Sequence, residues 1–264
     1  MFFVLFLGEN MKSVVRNSLF LLSSFPCLAF PLYNGSPALP EMPRENFFLQ
    51  EDSIFSLKLD YQGDFVLGRR VTANSSFQNS SISSRLNGAE LSLGFSDRVE
   101  LYSLLGVSKT SFSSNYLDQT LHLSTKESFG GLIGVRAIGA FWGDIKLGFD
   151  AKYFYGWPRI DSLRLGEDHL SGSCSQSVER QWQLGAGFSQ TFAYFTPYVG
   201  VKYSKFFLDF IGVQSLDKEI AIQNVSPFGV FIGLGISGKK GPFLDLEASF
   251  LDEYAFSAAL GFRF

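Results

Sequence analysis

With 22 basic and 25 acidic side chains in 264 residues, the chain has no positive excess to hold nucleic acid. Charged residues make up only 18% of it, against ~25% in ordinary soluble domains, while aromatics reach 16%. Beyond the N-terminus no stretch stays apolar for the ~18 residues a spanning helix needs, which favours a barrel over a helical membrane protein. Apolar side chains spread evenly instead, as they do when successive residues face oil and water in turn.

The first 29 residues predict an export signal. Lys12 and Arg16 supply positive charge, Ser18–Phe25 a short apolar core, and Cys27-Leu28-Ala29 a small-x-small cleavage site, with the cut after Ala29. Met11 is an alternative start. Cleavage removes Lys12 and Arg16 from 22 bases and Glu9 from 25 acids, leaving the chain near −4. It also leaves Cys174 alone, which rules out an internal disulfide.

Residues 30–52 hold Pro31, Pro37, Pro40 and Pro43 without a sustained period, and predict an extended proline-rich lead-in. From residue 53 onward the pattern is that of strands. Phe55, Leu57, Leu59, Tyr61, Phe65 and Leu67 form one face, opposed by Ser56, Lys58, Asp60, Gln62 and Asp64. Gly68–Asn87 is serine-rich and reads as a flexible polar loop. A hairpin follows, with Ala89–Phe95 and Val99–Val107 joined by Ser96-Asp97-Arg98, and Lys109–Phe129 reads as a second polar connection. Leu132–Phe141 and Ile145–Trp157 form the clearest pair. In the latter, Asp144, Lys146, Asp150 and Lys152 line one face and seven apolar residues the other, a pattern no helix could sort.

Pro158–Ser177 is the third polar segment and Ile211–Asn224 the fourth. Between them Val178–Phe192 and Tyr198–Phe210 alternate, with Glu179 and Lys202 on the polar rows. Phe228–Ile236 and Pro242–Leu251 flank Gly238-Lys239-Lys240-Gly241, with Asp245 and Glu247 on the polar face. The last strand sets Tyr254, Phe256, Ala258, Leu260, Phe262 and Phe264 against Ala255, Ser257, Ala259, Gly261 and Arg263. Phe264, a terminal phenylalanine of the kind outer-membrane barrels commonly carry, is the candidate assembly signal.

These segments predict an all-β chain: a transmembrane antiparallel β-barrel of about ten strands over residues 53–264, behind an N-terminal signal peptide. Twelve is the alternative if Leu117–Leu123 and Leu216–Ile222 also pair. Connections alternate long and short, as in outer-membrane barrels with outward loops and short periplasmic turns. Gly185, Gly187, Gly233 and Gly235 fall on the inward face, where small residues relieve crowding.

The sequence carries little sign of catalysis. Gly233, Gly235 and Gly238 have dinucleotide-fingerprint spacing, but a turn follows where a helix is required. His122 and His169 with one cysteine do not make a metal site, and no cofactor is expected. Glu167-Asp168-His169 could activate water at a barrel mouth, but such adjacent loop residues usually point apart. The expectation is a non-enzyme. Twelve charged residues are predicted to line the lumen: Lys58, Asp60, Asp64, Asp144, Lys146, Asp150, Lys152, Glu179, Lys202, Asp245, Glu247 and Arg263. Eight-stranded barrels are filled by side chains and wide channels need about sixteen strands. Ten strands therefore do not promise a generous pore.

Pro31-Leu32-Tyr33-Asn34-Gly35-Ser36-Pro37-Ala38-Leu39-Pro40, followed by Leu59-Asp60-Tyr61-Gln62-Gly63-Asp64-Phe65-Val66, resembles the start of the mature chlamydial major outer membrane protein family. Gly134-Val135-Arg136-Ala137 before a Trp-containing turn and the final Phe264 are similar too. The clear match covers about a fifth of the chain. The resemblance implies an outer-membrane porin for ions and small hydrophilic solutes with a structural role in the envelope. The chain is shorter and poorer in cysteine than that family, so a disulfide network is not implied. Expected partners are outer-membrane lipid, the outer-membrane assembly machinery and a second copy of the chain. The rival expectation is a closed barrel whose outer loops, Gly68–Asn87, Lys109–Phe129 and Pro158–Ser177, act as an adhesin or ligand-binding surface.

Overall fold

A strand in hydrocarbon must pair on both edges, because lipid satisfies neither N–H nor C=O. The chain meets that requirement by closing its sheet. The computed structural model describes residues 32–39, 54–73, 77–116, 118–170, 176–213, 218–237 and 242–264. Its strands are β1 (Phe55–Thr72), β2 (Phe77–Phe95), β3 (Val99–Tyr116), β4 (Gln119–Thr125), β5 (Ser128–Trp142), β6 (Ile145–Gly156) and β7 (Ile160–Leu165). They continue with β8 (Asp168–Leu170), β9 (Gln176–Gln190), β10 (Phe195–Val213), β11 (Lys218–Asn224), β12 (Phe228–Ser237), β13 (Pro242–Phe250) and β14 (Glu253–Arg263). Ten form the wall, in the antiparallel order β1–β2–β3–β5–β6–β9–β10–β12–β13–β14. The ring shuts where β14 pairs β1, from Lys58↔Arg263 to Arg69↔Glu253.

The remaining four strands lengthen the wall outward. β4 pairs β3 and β7, β7 pairs β8, and β11 pairs both β10 and β1. The alternative of twelve is thereby resolved: the two extra segments do pair, as extensions of existing hairpins rather than as new wall strands. Leu117 and Leu216 themselves lie outside the described residues, as do the expected signal at 1–29 and Cys174.

The wall's outer face is apolar and edged with aromatics. Leu59, Leu91, Leu101, Ile133, Val199 and Leu260 are exposed along its middle. Phe55, Trp142, Phe192, Tyr194 and Phe195 lie exposed at the end with short turns. Trp157, Trp182, Tyr203, Phe228 and Tyr254 mark the other end, where Trp182 stacks on Tyr203 and Tyr203 meets Phe228 edge-on, with centroids 5.3 and 4.9 Å apart. Such a belt between two aromatic girdles is the membrane-facing surface of a barrel. Asn and Gly are the usual residues of two-residue hairpin turns; here Ser96 and Asp97 take the positive φ values, 50° and 54°.

The long polar segments are corrected by the structure. Gly68–Asn87, Lys109–Phe129, Pro158–Ser177 and Ile211–Asn224 were expected as loops, yet their described residues are mostly strand. They are held by an interior that sequence polarity conceals. Val71, Ile82, Phe112, Leu121, Leu163, Phe206, Leu208, Phe210 and Ile222 belong to one buried apolar cluster inside these hairpins. Ser81, Ser83, Ser111, Ser113 and Ser124 face outward beside them, while Ser80, Ser84 and Ser114 share the inner rows. Beyond the membrane the exterior is water, so the polar row turns out and the apolar row turns in.

Candidate functional site in the barrel lumen

Alternation within the belt sends every second side chain inward, and the inward rows are charged. Near the short-turn end Lys58 lies 3.1 Å from Asp60, 2.8 Å from Glu90 and 2.9 Å from Glu100. Glu100 also meets Arg136 at 3.2 Å and Arg263 at 3.4 Å, so one carboxylate gathers three cations from β1, β5 and β14. Arg136 reaches Asp150 at 3.5 Å and covers the Tyr102 ring at 4.6 Å, while Tyr102 donates to Asp150 at 2.6 Å. Lys152 pairs with Asp150 at 2.8 Å. A second network sits higher. There Lys202 joins Glu253 and, at 3.3 Å, Asp252; Arg69 grips Glu253 and donates to Gln181 at 3.2 Å.

Leu32–Leu39 enters this lumen and fills its centre. The backbone N–H of Asn34 and that of Gly35 each donate to Glu247 at 3.1 Å, the Asn34 amide does so at 3.0 Å, and the Ser36 N–H reaches Asp245 at 3.3 Å. From the facing wall Arg136 donates to the Asn34 carbonyl at 3.1 Å, Gln183 to the Leu32 carbonyl at 3.0 Å, and Lys152 to the Tyr33 carbonyl. Tyr198 donates to Asp245 at 2.7 Å. Glycine makes the room. A Cβ on Gly148 would stand 2.7 Å from Pro37 Cβ, and one on Gly185 2.7 Å from the Asn34 amide oxygen. The expected lead-in at 30–52 is thus, over these eight residues, an internal segment closed by a turn in which the Leu39 N–H donates to the Ser36 carbonyl at 2.9 Å. The space left beside it, among Pro37, Gly148, Gly185 and Phe231, is about 10 Å³, roughly room for one water.

Ten of the twelve expected lumen residues do face inward and are buried: Lys58, Asp60, Asp64, Asp150, Lys152, Glu179, Lys202, Asp245, Glu247 and Arg263. Asp144 is corrected. It sits exposed in the β5–β6 turn, and Lys146 beside it is only half-buried, because the alternation there has already run past the barrel's edge. Reading by sequence missed Arg69, Glu90, Glu100, Arg136 and Glu253 as members of the site. Glu90 and Glu100 were visible on the polar rows. Arg69 was not: a bulge between Val66 and Gly68 shifts the phase of β1, so Arg69 turns in and Arg70 out.

The one catalytic candidate read from the sequence does not converge on a site. Glu167, Asp168 and His169 are exposed around the β7–β8 turn at Gly166, whose φ is 59°. Among the described residues no cluster of His, Cys, Asp or Glu could hold a metal ion. What the lumen can do chemically is compensate charge and hold a peptide segment across itself.

No family model matches the chain. No curated protein matches it either. Solved structures similar to it include the translocator domain of the autotransporter NalP from Neisseria meningitidis, at 12% identity and a TM-score of 0.40, covering 97% of this chain and 98% of that one. The outer membrane protein OprG from Pseudomonas aeruginosa is similar at 8% identity and 0.35, over 80% and 95%. The toluene transporter TbuX from Ralstonia pickettii follows at 11% and 0.31, over 79% and 88%. These are outer-membrane barrels and transporters; likeness at this level carries no functional argument, and the closure of this barrel rests on its own strand register.

Proposed function

We propose that this chain is a bacterial outer-membrane barrel that is shut at rest and serves as an envelope anchor for its outward hairpins. The observation that carries this reading is the triple obstruction of the lumen by paired charges, the Leu32–Leu39 segment and the apolar cluster above them. A solute crossing such a barrel would have to part ion pairs, displace a segment with hydrogen bonds on several strands, and then pass a dry plug. Porin-like conduction therefore belongs to a displaced state. The resting molecule presents β3–β4, β7–β8 and β10–β11 to the exterior as a polar interaction surface. Kinship with the chlamydial porin family remains part of the proposal. In its support, Leu32 of the proline-rich motif and Val66 of the first-strand motif share one buried cluster.

The test is planar-bilayer recording of the purified, refolded chain. The expected result is a silent bilayer despite verified insertion. Discrete, salt-dependent current steps from the unaltered protein would replace this reading with the open porin.

A further inference from the structure

The exterior just beyond the outer aromatic girdle is basic on strand after strand. The outward residue that succeeds the apolar band is Arg70 above Leu67 on β1, Lys109 above Val107 on β3, and Lys126 above Phe129 at the β4–β5 junction. It is Arg159 above Trp157, Arg180 above Trp182 on β9, and Lys205 above Tyr203 on β10. Arg85 pairs with Lys109 in register on β2. Two of these cations have acidic partners, Arg85 with Glu127 and Arg180 with Asp209. Among the described residues, Arg70, Lys109, Lys126, Arg159 and Lys205 have none. Among the described residues the short turns at the opposite end bear Asp97, Arg98 and Asp144; the Lys239-Lys240 turn lies outside them.

A second feature stands directly over this collar of cations. Ser83↔Ser111↔Ser124↔Ser162 run in register across β2, β3, β4 and β7. Each lies two or three residues beyond a cation: Arg85, Lys109, Lys126 and Arg159 respectively. They line a surface groove of about 450 Å³ that also takes in His122 and Arg164. Beneath the cations Leu105 and Phe129 are 75% and 78% exposed, the most open apolar side chains on the wall. From membrane to solvent the order is therefore apolar shelf, cations, hydroxyls.

We propose that this face binds the phosphorylated sugar headgroup of a glycolipid in the outer leaflet. Acyl chains lie on Leu105 and Phe129, phosphate meets Lys109, Lys126 and Arg159, and sugar hydroxyls meet the serine row. Phosphate favours cations at the rim of the hydrocarbon, where an anionic surface attracts them. A simple anionic phospholipid would satisfy the cations and leave the hydroxyl groove empty, which is why a saccharide is the better fit. The inference rests on the outer-membrane placement above, but not on whether the lumen conducts.

The experiment refolds the full chain into phosphatidylcholine nanodiscs and titrates a bisphosphorylated glucosamine-disaccharide lipid, its dephosphorylated form, and phosphatidylglycerol at matched charge. Retained lipid is counted by native mass spectrometry. The phosphorylated glycolipid should bind at least tenfold more tightly than either control. Lys109→Ala/Lys126→Ala/Arg159→Ala should remove that preference, and arginine at the two lysine positions should keep it. Ser111→Ala/Ser124→Ala should bring the glycolipid toward phosphatidylglycerol. Equal binding of glycolipid and phosphatidylglycerol, or an unaltered triple variant, would overturn the proposal while leaving the barrel intact. Failure of the unaltered chain to insert, read by dichroism and protease protection, would sink the membrane reading first.

Discussion

The two halves of this barrel solve opposite solvent problems with one sheet. Inside the membrane its outer face is oil-seeking and its core is built on ion pairs with two small apolar clusters beside them; beyond the membrane the outer face is serine and charge and the core is Phe112, Phe206, Leu208 and Phe210. β10 shows the inversion along a single strand. Lys202 and Ser204 face inward at membrane depth, followed on the same row by Phe206, Leu208 and Phe210. Polarity of the core is thus set by what surrounds the wall at each height. The ionic half is held by pairs whose desolvation is costly and whose strength lies in completeness; the apolar half is held by area and packing.

The comparison is broken most severely at Glu100. Glu100→Ala leaves Lys58, Arg136 and Arg263 without their shared carboxylate, and removing one side of a buried pair costs about 3–5 kcal/mol. The expected outcome is loss of most folded protein, seen as loss of heat-modifiable migration on gels. Phe210→Ala attacks the other half and should cost about 3–5 kcal/mol there. The damage should be confined: protease nicks the outward hairpins while the membrane-embedded fragment stays protected. If both variants unfold the whole chain as one, the halves are a single cooperative unit and the contrast between them has no thermodynamic meaning.

Gly148→Val probes the junction between segment and wall. Its side chain collides with Pro37 and should cost about 1–3 kcal/mol by overpacking. Crosslinking of a cysteine placed at Ala38 should report a displaced segment while the strands persist. Deletion of residues 32–39 should leave the bilayer silent, because the apolar cluster still closes the path. Current steps should appear only when Phe112→Ser and Phe206→Ser are added. The smallest effect is expected at Arg180→Ala. Its pair with Asp209 is half-exposed, worth about 0–1 kcal/mol, and the difference should fade as salt is raised.

Much of the ionic half was legible because its period is strict. Asp150 and Lys152 between Phe149, Ala151 and Tyr153 leave no other orientation, and Asp245 and Glu247 repeat the case. The apolar half was not legible, for a physical reason. In Asn79-Ser80-Ser81-Ile82-Ser83-Ser84-Arg85-Leu86, serine occupies both faces: Ser80 and Ser84 are buried, Ser81 is exposed. Composition there resembles a loop, and only the partners Phe112 and Leu121, remote in sequence, show that Ile82 has a core to enter. The inserted segment was hidden differently. Its prolines announce irregular backbone, but Asn34–Ser36 find their acceptors on β13, more than 200 residues away.

That separation has a mechanical result. A thin-walled tube pressed sideways by a crowded membrane yields first by becoming oval, as opposite staves move together while their neighbours spread. Residues 34–36 are bonded to β13 on one side and, through Arg136 and Gln183, to β5 and β9 on the other. The segment therefore works as a spoke, keeping the cross-section round without thickening the rim.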